Sequence, residues 1–98
     1  MCVHYLYMER EKIIKILKDT IAENHISKAY LFGSFARKKG HYNDIDIAFD
    51  PPPGFTLLDL SRIANQMEKK TRISIDLITI RSIHPKLKNA IKKEMIAL

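Results

Sequence analysis

The apolar residues of the chain follow two periods, 3.6 and 2, and these lay out its elements. Across Glu9 to Asn24, Ile14, Leu17 and Ile21 recur at helical spacing, with Ile13 and Ile16 widening the stripe. Lys12, Lys15, Lys18 and Asp19 fall largely on the other side, so the pattern predicts an amphipathic helix. Ala29-Tyr30-Leu31-Phe32 is a short apolar run stopped by Gly33, which reads as a buried strand. Ser34 to Lys39 suits a short helical turn, and Gly40 to Asn43 a loop. Asp44 to Phe49 then alternates acid with apolar, the signature of a strand with one wet face.

Pro51-Pro52-Pro53-Gly54 belongs in neither a helix interior nor a central strand, and separates that strand from the next element. Thr56 is placed to cap a helix running to about Lys70, with Leu57, Leu60, Ala64 and Met67 along its inner side. Arg72 to Ile80 alternates again, setting Ile73, Ile75 and Leu77 against Ser74, Asp76 and Ile78. Pro85 suits the first turn of a last helix, with Leu87, Ala90, Ile91 and Met95 as its buried stripe. The predicted order is helix, strand, turn, strand, helix, strand, helix. That order implies an α/β (α+β) fold, a small mixed sheet with flanking helices, in one domain over residues 1–98.

Composition narrows the setting. Apolar residues make up 46% and charged residues 29% of the 98, which is ordinary for a packed domain and excludes a disordered chain. The formal charge of +6 favours anionic partners, but the lysines are spread along the chain and do not form a nucleic-acid patch; nucleic acid is not the favoured partner. Cys2 is the only cysteine, so no intrachain disulfide can form, which fits a reducing compartment. The N-terminus is too short and polar for a signal peptide, and no apolar run approaches the ~20 residues that span a bilayer. A cytoplasmic protein without membrane contact is expected, with self-association left open.

The candidate chemistry is carboxylate chemistry. Asp44 and Asp46 stand two apart on a predicted strand, so they share a face with Cα atoms about 7 Å apart. Such a pair suits Mg²⁺, which takes hard oxygen ligands and usually combines one or two carboxylates with substrate phosphates. Taken alone, Asp-x-Asp is more often plain polar-out alternation. Its surroundings change the balance. Gly33 and Ser34, at the end of the preceding strand, offer close backbone approach and free N–H groups to a phosphate. Arg37, Lys38 and Lys39 come directly after and can offset phosphate charge. Asp76 is a third acid inside an otherwise apolar strand, where a carboxylate is costly unless paired or metal-bound. If its strand neighbours that of Asp44, three carboxylates meet, with Asp76 as a metal ligand or as the general base. His4, His25, His41 and His84 lack metal-ligand spacing, and no P-loop motif is present.

The stretch LFGSFARKKGHYNDIDIAFD resembles the signature of the DNA polymerase β-like nucleotidyltransferase superfamily: Gly-Ser, a spacer of about ten residues, then Asp-apolar-Asp-apolar. Gly33, Ser34, Asp44 and Asp46 match that motif, and Asp76 matches the third acid on a later strand. The family often has Ala-Arg-Gly and a longer spacer, where this chain has Ala36-Arg37-Lys38 with glycine only at Gly40. The short length is similar to minimal nucleotidyltransferases, called MNT proteins, which pair with small helical HEPN toxins. The resemblance implies Asp44, Asp46 and Asp76 as catalytic and metal-binding residues and Gly33, Ser34 and Arg37 as nucleotide-binding. It also implies Mg²⁺ as cofactor, ATP as substrate, and an antitoxin that transfers AMP to a tyrosine of a HEPN toxin. Two other outcomes are compatible with the same residues: an antitoxin that acts by binding alone, and transfer to a small-molecule or RNA acceptor.

Overall fold

A computed structural model describes residues 10–37 and 44–98. The elements are helix α1 (Arg10–Glu23), strand β1 (Lys28–Phe32), a one-turn helix α2 (Gly33–Arg37), β2 (Asp44–Asp50), α3 (Leu57–Thr71), β3 (Ser74–Thr79), a 3₁₀ turn (Ile80–Ser82), α4 (Pro85–Glu94) and β4 (Ile96–Ala97). The sheet order is β3-β2-β1-β4. β1 runs antiparallel to β2 and to β4, whereas β2 and β3 are parallel. Parallel neighbours need a crossover, and α3 supplies it. The expected α+β architecture is therefore present, with β4 added at the edge beside β1. A two-residue strand gives no periodic signal, which is why the pattern did not predict it.

Alternation along the strands divides the sheet into two unlike faces. Ala29 and Leu31, Ile45, Ile47 and Phe49, and Ile75 and Leu77 all point one way and are buried. They meet Ile13, Leu17 and Ile21 of α1 and Ile63 and Met67 of α3 in one continuous core. The opposite face carries Tyr30 and Phe32, then Asp44, Asp46 and Ala48, then Ser74, Asp76 and Ile78. Among the described residues, α4 and the 3₁₀ turn lie over its Tyr30–Ala48 end.

Capping sets the bounds of α3. The Thr56 hydroxyl accepts from the Asp59 amide, and the Asp59 carboxylate accepts from the Thr56 amide at 2.9 Å, so two orphan donors are satisfied. At the other end Arg72 adopts φ 61°, a left-handed cap whose N–H returns to the Glu68 carbonyl. Pro85 occupies the first turn of α4 as expected, and His84 caps that helix: its Nδ1 accepts from the Lys86 amide at 3.1 Å.

Two inner stripes differ from expectation. Met67 is fully buried, but Leu57, in the first turn of α3, is 82% exposed. On α4, Leu87 is 56% exposed and no residue is fully buried; Ile91, and Met95 just past the helix end, are only half-covered. A helix whose apolar side stays half-open is not closed down on the sheet beneath it.

Candidate active site

β2 and β3 pair in register, with Ser74 opposite Asp44 and Asp76 opposite Asp46. Opposed residues of a parallel pair point to the same side, and adjacent strands lie about 4.8 Å apart. The three acids therefore share one sheet face, with Asp46 at the centre of the group. Asp44 and Asp76 are exposed, while Asp46 is half-buried. Burial pushes the Asp46 carboxyl above its ordinary value; the nearby charges of Asp76 and Asp44, and a side-chain hydrogen bond with Asp76, push it the same way. Arg37 acts in the opposite sense. The predicted gathering of Asp44, Asp46 and Asp76 is thus observed as a set of like charges opposed only in part by a neighbouring cation.

β1 ends beside this group. Phe32 pairs with Asp46, so the chain turns into α2 next to the Asp46 carboxylate. Gly33 sits there at φ +74°, a left-handed conformation that glycine alone adopts without strain. A Cβ at Gly33 would overlap Asp46 Oδ2. The residue thus meets two requirements, a backbone conformation and bare space for a carboxylate. Ser34 comes next in the first turn of α2, where the amide groups have no intrahelical acceptor.

α2 has only five residues, and side chains distant in sequence hold it. The Arg10 guanidinium of α1 stacks 4.5 Å from the centroid of the Phe35 ring, and its Nη1 donates to the Phe35 carbonyl. Arg37, at the end of α2, donates from Nη1 to both carboxylate oxygens of Glu94 at 3.1 Å, which ties α2 to the end of α4. Sequence reasoning missed Arg10 and Glu94. They lie 25 and 57 positions from their partners, and no local motif marks them. Lys38, Lys39, the Gly40–Asn43 loop, His41 and Tyr42 lie outside the described residues.

The donors fit a hard cation, since all three are carboxylates on one face and Asp46 is poorly compensated. Among the described residues, however, no three acidic, histidine or cysteine side chains stand close enough to cage a metal by themselves. A cation here would draw part of its shell from elsewhere, and phosphate oxygens are the usual source for Mg²⁺.

The geometry has two testable consequences. Gly33→Ala should destabilise the protein by about 1–3 kcal/mol through backbone strain, plus the cost of displacing Asp46. In denaturant unfolding the second part should vanish in an Asp46→Ala background, so the two substitutions should be non-additive; strict additivity would contradict the close approach. The Asp46 shift also carries a sign. With its folded-state value raised above the ordinary 3.8, ionised Asp46 weakens the native state at neutral pH; that penalty fades as pH falls through the raised value and is gone below 3.8. Asp46→Asn should accordingly raise Tm at pH 7 in metal-free buffer, with the gain disappearing in acid.

The family model of the polymerase β nucleotidyltransferases matches residues 11–98. A Methanocaldococcus jannaschii protein named as a protein adenylyltransferase is 36% identical over 88 residues, covering 89% of this chain and 90% of its own. The solved structure of a minimal nucleotidyltransferase superposes with a TM-score of 0.80 at 25% identity, over 94% of this chain and 98% of that one. A solved complex of a tri-AMPylated HEPN toxin with an MNT antitoxin from Shewanella oneidensis gives a TM-score of 0.59 at 27% identity, over 90% of this chain and 66% of that one. With the match spanning almost its whole length and the motif residues brought to one face, the chain belongs to the polymerase β-like nucleotidyltransferase family.

Proposed function

We propose that this protein transfers AMP from ATP to a tyrosine hydroxyl of a HEPN-type toxin and thereby acts as its antitoxin. The observation that carries the reading is the in-register pairing of Asp46 with Asp76 beside Asp44, with Gly33 and Ser34 next to Asp46. The similar M. jannaschii protein is named an adenylyltransferase, and the similar complex joins an MNT antitoxin to a HEPN toxin carrying AMP groups; both support the choice of donor and acceptor.

Asp44 and Asp46 would hold Mg²⁺, with Asp76 supplying a further oxygen beside them. Bound there, the ion would offset charge on the α- and β-phosphates and on the attacking oxygen. The amides of Gly33 and Ser34, with the Ser34 hydroxyl, bind the β- and γ-phosphates. Arg37 adds a cation at the same end of the site. Asp76 takes the proton of the acceptor hydroxyl. The freed oxygen attacks the α-phosphorus, a new O–P bond forms, and the bond to the bridging oxygen breaks to release pyrophosphate. Catalysis consists of positioning and charge compensation.

The test uses the purified protein, Mg²⁺ and the HEPN-type toxin proposed as its partner, with ATP labelled at the α- or the γ-phosphate. Only the α-label should appear on the toxin, and Asp44→Asn with Asp46→Asn should lower transfer at least about a hundredfold. Absence of α-label from the toxin in the wild type would contradict the reading. A double variant that still neutralised the toxin fully would show that binding alone suffices.

A further inference from the structure

The acid-bearing face does not end at Asp46. One rung further along the sheet, about 7 Å away, Ala48 of β2 pairs with Tyr30 of β1. These two floor a cavity of about 270 Å³, lined also by Ile80 and Ile83, by Ile91 of α4 and by Met95, which caps that helix. Protein interiors are packed with few voids larger than a water molecule. A cavity this size in a 98-residue chain accounts for the half-open inner side of α4. The lining is almost wholly apolar, and Lys28, Lys88 and Lys92 stand at its margin. None of these lysines forms an ion pair among the described residues, whose ion pairs are Lys15–Asp19, Arg37–Glu94, Arg62–Asp59 and Lys70–Glu23. α4 is held over this face at its far end by the Glu94–Arg37 pair.

An apolar slot with an aromatic floor, an uncompensated basic margin and a carboxylate cluster one rung away calls for a flat ring bearing phosphate. We propose that this cavity receives the nucleobase of the donor nucleotide, stacked on Tyr30 beneath Ile91 and Met95. Lys28, Lys88 and Lys92 add long-range attraction for the polyphosphate. Aromatic side chains stack on any base, so the slot supplies affinity while the rim amines select among base edges. A neutral acceptor side chain would leave the three cations without a role. The proposal rests on the nucleotidyltransferase reading and adds where the donor's base lies.

The test separates the two claims. The chain has no tryptophan, so Tyr30→Trp introduces a single reporter into the cavity floor. Its fluorescence should change on titration with a non-hydrolysable ATP analogue and Mg²⁺, and stay unchanged with inorganic tripolyphosphate, which lacks a base. Ile91→Gln, at a half-exposed helix position that tolerates a polar side chain, should weaken the ATP analogue about tenfold while leaving tripolyphosphate affinity within about twofold. If the analogue binds and the reporter stays silent, or Ile91→Gln leaves its affinity unchanged, the cavity assignment fails and the phosphate site stands. A reporter that answers only to a tyrosine-bearing acceptor peptide would also overturn it. If wild-type protein binds neither the analogue nor tripolyphosphate, the cavity assignment falls together with the nucleotidyltransferase reading.

Discussion

The structure depends on the register between β2 and β3. Pairing Asp46 with Asp76 sends every second residue of both strands to the same side. Ile45, Ile47, Phe49, Ile75 and Leu77 go to the helices, and Asp44, Asp46 and Asp76 go to the open face. A slip of one residue would place carboxylates in the core and isoleucines in water. Burial of Ile45, Ile47, Ile75 and Leu77 therefore enforces the arrangement of the acids. The same packing that holds the fold together also places the candidate chemistry.

The arrangement has a cost that falls where function is expected. Asp46 is pressed between two other acids and against the bare backbone of Gly33, and its carboxyl is shifted toward the neutral form. Chemistry-bearing groups are commonly kept in surroundings that would be relieved by a ligand, and a cation with phosphate would relieve this one. Around it the scaffold is reinforced at long range: Arg10 secures α2 from one side and Glu94 from the other. A five-residue helix has little stability of its own, so these contacts carry much of its placement.

Much of this was legible in the sequence because the signals were local. The Asp44-Ile45-Asp46-Ile47 alternation specified a strand and its wet face. Gly33 was marked by its position at a strand end, and Thr56 and Pro85 by their capping chemistry. The shared face of Asp76 was conditional on its strand neighbouring β2, which is a matter of tertiary pairing. Periodicity puts Leu57 and Leu87 on inner stripes, yet both are exposed, because a repeat in sequence does not say which of its positions meet another element. Arg10, Glu94 and the cavity under α4 arise from contacts between segments far apart in the chain, and no window of sequence contains them.

The central claim is that Asp44, Asp46 and Asp76 present one cation site on the open face. Manganese in place of magnesium, added with an ATP analogue to isotope-labelled protein, tests it through paramagnetic broadening of amide NMR signals. The amides of Gly33, Asp44, Asp46 and Asp76 should broaden first and together, while Leu17 and Ile21 on the far side of the core stay sharp. Broadening centred elsewhere, or Asp76 left sharp while Asp44 and Asp46 disappear, would contradict it.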